Sequence, residues 1–270
     1  MPSPNMSPIS PVSLPSYKKP PINEVVCGLR FNTPGELKIP HIGLLWDKFR
    51  TDYPRIEHAS PIVSAKGEFL IDPVTGLPLH RVWFINESDD QLIQFQFDRL
   101  YFNWRRRQGD YPRYSYVIEH FEKVLNIVEN FFIEFNLGDI TPIEYELSYI
   151  NHIPKGEGWN TIDDLSRIFS DFVWVKKAER FLPNPLNFGW KTEFPLPEKM
   201  GRLAITLKQA IRTEDRVPLF ILELNSRGFL DEATNKKDFH KWFDVAHEWI
   251  VKGFTDITTP EIHSIWEREV

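Results

Sequence analysis

QLIQFQFDRLYF, residues 91–102, is the stretch whose reading decides the fold. Phe95 and Phe97 alternate with Gln96 and Asp98, the period-two pattern of a strand that turns one face into a core. The alternation predicts a single strand over 91–102. Leu222-Glu223-Leu224-Asn225 repeats the pattern in the second half of the chain, with Phe229 in the place of Phe102. Two long helical stripes follow at matching intervals. Phe121, Val124, Ile127, Val128 and Phe132 answer to Phe243, Ala246, Trp249, Ile250 and Phe254.

Outward from these anchors, both halves read in the same order. Val25, Cys27, Leu29 and Phe31 alternate as an opening strand, and Ile42, Leu45, Trp46 and Phe49 follow at helical spacing. Strands over 81–87 and 91–102 and a long helix complete the first half, with Gly138 as its left-handed cap. The second half opens with a strand over 143–153 and a helix carrying Ile162, Leu165 and Phe169, which Asn160-Thr161 can cap. Irregular chain is expected at about 180–200, then strands over 202–211 and 219–225 and a final aromatic helix. The expectation is an α+β fold of two tandem β-α-β-β-α units, 20–140 and 141–270, packed as one body. Their antiparallel sheets should be covered by helices on one face.

Composition narrows the class. The 270 residues are 41% apolar and 26% charged, ordinary for a globular protein, and a net charge of −6 opposes a broad nucleic-acid surface. Cys27 is the only cysteine, so no intramolecular disulfide can form. No apolar run reaches the ~18–20 residues of a membrane span, and no signal-peptide stretch opens the chain. A cytoplasmic location is the expectation. Residues 1–19, rich in Pro and Ser, bury too little apolar surface to fold and are expected to form a disordered tail.

If the helices cover Phe95, Phe97, Leu222 and Leu224, alternation turns Arg30, Trp83, Gln96, Asp98, Thr206, Lys208, Glu223 and Asn225 to the open face. Arg30, Gln96, Asp98, Lys208, Glu223 and Asn225 form the candidate ligand-binding set. Trp104-Arg105-Arg106-Arg107 is the one dense basic cluster, a candidate contact for phosphate or an acidic partner. His240, Asp244 and His247 share one helix stripe and could converge on a metal, but solvated polar residues beside an apolar stripe look the same. No metal or other cofactor is expected. Cys27 reads as a small core residue. No nucleophile elbow, Gly-rich phosphate loop or dinucleotide fingerprint occurs.

Several stretches together resemble a sporadically distributed family of uncharacterised bacterial proteins of about this length. They are Pro21-Ile22-Asn23-Glu24, Asn103-Trp104-Arg105, Tyr111-Pro112-Arg113-Tyr114, Tyr149-Ile150-Asn151 and the closing 254–266 segment. The resemblance spans 20–270. The family brings no catalytic residues to transfer, and its patchy distribution implies accessory genes such as phage-defence or toxin–antitoxin cargo. The functional expectation is a non-catalytic module that binds a small ligand or a protein partner, with Trp-rich helices able to pair copies of the chain. The alternative is an enzyme for a phosphate-containing or nucleic-acid substrate gripped by Arg105, Arg106 and Arg107.

Overall fold

The computed structural model describes residues 13–32, 35–63, 71, 76–77, 80–173, 181–229 and 239–269. The first part of the expected tail (1–12) and parts of the irregular stretches before residue 80 and around residue 180 lie outside the described residues. Among the described residues, nine strands form one antiparallel sheet. In chain order they are β1 (Ile22–Phe31), β2 (Arg55–Ala59), β3 (Arg81–Ile85), β4 (Gln91–Gln96), β5 (Arg99–Arg105), β6 (Pro142–Pro154), β7 (Gly189–Pro195), β8 (Arg202–Ile211) and β9 (Pro218–Gly228). They lie side by side as β2-β3-β4-β5-β1-β6-β9-β8-β7. The helices are α1 (Ile39–Phe49), α2 (Tyr114–Glu134), α3 (Leu165–Ile168), α4 (Phe239–Ile257) and α5 (Pro260–Ile265).

The α+β class is therefore as expected, but the five-element unit is not what the chain shows. Four strands, not two, separate α1 from α2. The stretch 91–102 is a tight hairpin rather than one strand, because the chain reverses at Phe97-Asp98 and Gln96 pairs with Arg99. Neither turn residue has a positive φ, so the Asn-Gly type of signal that betrays most two-residue hairpins is absent. This breaks the residue match between the halves. Asp98 lies in a turn, Asn225 lies within β9, and Phe229 stands beyond the end of β9 while Phe102 pairs with Cys27.

Two edge strands were not expected. β2 is short, charged and exposed, which hides its pattern while protecting the sheet edge. β7 falls where irregular chain was expected, between proline-bearing segments. The helix expected after Asn160-Thr161 shortens to a single 3₁₀ turn and the four residues of α3.

The core sits between the sheet and its helices. Val25, Cys27 and Leu29 of β1 oppose Trp104, Phe102 and Leu100 of β5 and Tyr149, Leu147 and Tyr145 of β6, all buried. α2 lies over β1 and β5, and α4 over β6, β8 and β9. The two helices touch through Phe121 and Phe243, whose ring centres are 5.6 Å apart. Each such ring, fully buried, contributes about 1.5–3 kcal/mol. α2 ends in a Schellman cap made by Asn136 rather than Gly138. Asn136 takes φ 52°, and Leu137 N–H reaches Phe132 O at 2.9 Å.

Residues 13–19 are packed, although the sequence reads them as tail. Tyr17 is buried against Phe254, His263 and Trp266 and forms a bridge with Arg268. Lys18 and Lys19 N–H donate to Glu267 and Trp266 carbonyls. This strap crosses the start of α2 and the end of α4, and it closes the site described next.

Candidate ligand-binding cavity

The expected open-face set divides. Arg30, Gln96, Lys208, Glu223 and Asn225 do lie on the sheet face away from α2 and α4, but they do not converge. Gln96 and Lys208 stand five strands apart, about 24 Å at ordinary strand spacing. Arg30 pairs loosely with Glu144 at 3.9 Å. Gln96 is buried, accepting from Ile62 N–H and donating to Asp98, which Arg99 approaches at 3.3 Å.

Asn225 belongs to a buried polar network that sequence alone does not reveal. Glu146 accepts from Tyr101 Oη at 3.0 Å, Asn225 Nδ2 at 2.7 Å and Arg227 Nη2 at 2.8 Å. Asn225 also donates to Ser148. Gln94 donates to Asn103, which donates to Glu24. Burial pushes the Glu24 and Glu223 carboxyls above their ordinary values. Glu146, Asn225, Tyr101, Asn103 and Glu24 are thus held by one another, while on the same face Arg30 Nε, Trp83 Nε1, Arg99 Nε and Arg227 Nε are buried without a hydrogen-bond partner among the described residues.

The basic cluster is likewise engaged internally. Trp104 is on the helix face, buried with its ring 5.4 Å from Tyr111, and so is closed to stacking on a base. Arg105 and Arg107 both grip Asp89, at 2.8 and 2.6 Å, and Arg106 donates to Pro20 O. Burial opposes the Asp89 charge, but these guanidiniums outweigh it and hold the carboxyl below its ordinary value. The metal trio also diverges: His240 faces Glu122, Asp244 takes Tyr114, and His247 takes Tyr149. Among the described residues no group of three or more metal-ligating side chains forms. Cys27 is buried, its thiol pushed well up by desolvation.

A cavity of about 340 Å³ lies instead on the helix side, where the two halves meet. Its floor is Tyr149 and Asn151 of β6, with Leu224 of β9 beside them. One wall is a single face of α4, because His247, Ile250, Val251 and Phe254 fall at helical spacing. The opposite wall is the turn into α2, where Tyr111, Arg113, Tyr114 and Ser115 sit. Leu14, Pro15, Ser16 and Tyr17 of the strap form the roof.

The cavity is mostly apolar with a short polar seam. Tyr111 and Tyr149 hydroxyls are 2.9 Å apart, and Tyr149 Oη is 3.1 Å from His247 Nδ1. The His247 ring stacks on Tyr114 at 4.0 Å with planes 7° apart, and Tyr114 donates to Asp244. Burial pushes His247 down to about 4 and the tyrosine hydroxyls up. All four groups are therefore neutral near pH 7. With Nδ1 engaged by Tyr149, His247 Nε2 has no protein partner among the described residues and can meet a ligand as donor or acceptor, depending on the tautomer.

Sequence reading singled out His247 and Tyr149 for other reasons and missed their meeting. The available signal was tyrosine rather than phenylalanine at core position 149 and at the partly buried positions 111 and 114, opposite a histidine on an apolar helix face. Comparisons with protein-family models, with curated proteins and with solved structures returned no match to this chain. No helix among the described residues is long and apolar enough to cross a membrane.

Proposed function

We propose that this protein is a non-catalytic binding module that takes a small, largely apolar ligand in the cavity beneath the strap. The observation that carries the reading is the cavity itself: about 340 Å³, apolar, with one hydrogen-bonding seam of Tyr111, Tyr149 and His247. Ligand sites have this size and this sparing use of polar groups. A binding role is favoured over a catalytic one because a histidine held at about 4 and tyrosines pushed upward exchange no protons readily near neutral pH.

The position supports the same reading. β1 with β5, β4 and β3 on one side answers to β6 with β9, β8 and β7 on the other, and each set is followed by a long helix. We read the halves as copies of one unit on this topology, aligned β5 with β9. Their junction is a natural place for a ligand, as junctions between units are in many proteins.

The test uses N-phenyl-1-naphthylamine, a neutral apolar probe that fluoresces out of water. The native chain should bind it saturably at one site, and Val251→Phe, which narrows the cavity, should weaken binding at least tenfold while leaving the circular dichroism unchanged. Absence of binding by the native chain, or equal binding by the variant, overturns the reading.

A further inference from the structure

We propose that the ligand is an apolar monocarboxylate whose charged end sits on Arg113 at the cavity wall. The inference rests on the cavity reading above and adds the ligand's charge. Among the described residues Arg113 is the only charged side chain of the lining, since His247 is neutral near pH 7. Arg113 is half exposed at the edge of the apolar cavity, so it suits a ligand that keeps one negative charge toward water and buries an apolar body.

The backbone at Arg113 points the same way. Its φ of 79° and ψ of 161° lie in a region that is essentially reserved for glycine. A non-glycine residue is held there only when its surroundings over-determine it, and such strain gathers at ligand clamps. Here the clamp is visible. Nη1 donates to Tyr17 O of the strap at 3.2 Å, tying the residue to the roof.

The guanidinium retains capacity for a ligand. Nη2 stands 3.6 Å from Glu269 Oε2, well beyond the 2.7–2.9 Å of a formed charge-assisted bond. A ligand carboxylate could take the fork that Glu269 fills only loosely, with the Ser115 hydroxyl on the same wall. Arg113 and Glu269 together are neutral, so a ligand carboxylate must displace Glu269 from the guanidinium, and a dianionic phosphate fits less well because its second charge would have no cation there. The neutral Nε2 of His247 could not supply the missing charge.

The experiment compares decanoate with 1-decanol by calorimetric titration of the full chain at pH 7.5. Decanoate should bind at least tenfold more tightly than decanol. Arg113→Gln should remove at least tenfold of the decanoate affinity and change decanol binding by less than twofold. Arg113→Gly, which also relieves the backbone, should behave the same way and guards against misfolding as the cause. Equal binding of the two compounds by the native chain, or native-like decanoate affinity in both variants, overturns the carboxylate inference and leaves the cavity reading standing. If neither compound binds, or if decanoate binds Val251→Phe as tightly as the native chain, both readings fall.

Discussion

Gly28 of β1 faces Tyr101 of β5 across the sheet, and the tyrosine ring occupies the space that a side chain at position 28 would need. A Cβ there would come within 2.2 Å of Tyr101 Cδ1 and 2.4 Å of Leu100 O. The vacancy lets Tyr101 lie across β1 and reach Glu146 on β6. Gly28→Ala should cost at least about 1–3 kcal/mol, the range for overpacking. Because Leu100 O is backbone, truncating the neighbour in Gly28→Ala/Tyr101→Ala should not restore stability. Urea midpoints of the single and double variants check this, and full recovery in the double variant would contradict it.

Glu146 is the acceptor at the centre of the open-face network. Replacing it by Ala takes the acceptor from the buried Tyr101 hydroxyl and leaves Asn225 with Ser148 alone, whereas Arg227, which is partly exposed, can return to water. The expected loss is about 1–3 kcal/mol, below the extreme for a fully buried pair. A double-mutant cycle between Glu146→Ala and Asn225→Ala should show a coupling of at least about 0.5 kcal/mol. Strict additivity would mean that the two residues do not interact in solution.

How far the sequence discloses this molecule depends on which signal each element carries. β1, β6, β8, α2 and α4 have long apolar stripes of the right period, and their place in the chain is plain from them. The hairpin at Phe97-Asp98 is hidden because its turn uses neither Gly nor Asn and leaves the alternation almost intact. β2 is five residues long and exposed along most of its length, so it has no buried face for an apolar alternation to mark. Trp104 shows why a residue's neighbours in sequence mislead. Three arginines follow it, yet strand parity turns the ring into the core while the guanidiniums find Asp89 and Pro20. The cavity was not legible for a different reason. Its walls come from the strap, the α2 turn, β6 and α4, and only the strand order brings these together.

His247 makes stability depend on acidity. Burial holds its pKa at about 4, below the ordinary 6.5, so between those values the unfolded chain binds more protons than the folded one. Stability from this group is full above pH 6.5 and declines as the pH falls toward 4. The ceiling is roughly 3 kcal/mol, and exposure of the ring to the cavity makes about 1–2 kcal/mol the expected size. His152 and His263, also held low by burial, add to the same trend. His247→Phe keeps a ring against Tyr114 and removes the titration. Its loss of stability between pH 7.5 and 5 should therefore be about 1–2 kcal/mol smaller than that of the native chain. Equal losses would show that the imidazole is hydrated in the folded protein.

The strap is the last element whose role can be measured directly. Tyr17 fills a cage of Phe254, His263 and Trp266, and its hydroxyl meets Thr255 Oγ1 at 3.0 Å. Tyr17→Ala should cost about 3 kcal/mol, as for other large-to-small changes at buried rings, and Tyr17→Phe about 1 kcal/mol or less. The ring also pins the backbone ladder in which Lys18 and Lys19 donate to Glu267 and Trp266 carbonyls, and Glu269 donates to Ser16 O. Hydrogen exchange at Lys18, Lys19 and Glu269 should therefore accelerate in Tyr17→Ala while amides in the middle of β1 and β6 keep their protection. That pattern would separate opening of the roof from global unfolding. Unaltered exchange at all three positions would mean that Tyr17 does not hold the strap, and the cavity would then need another cover.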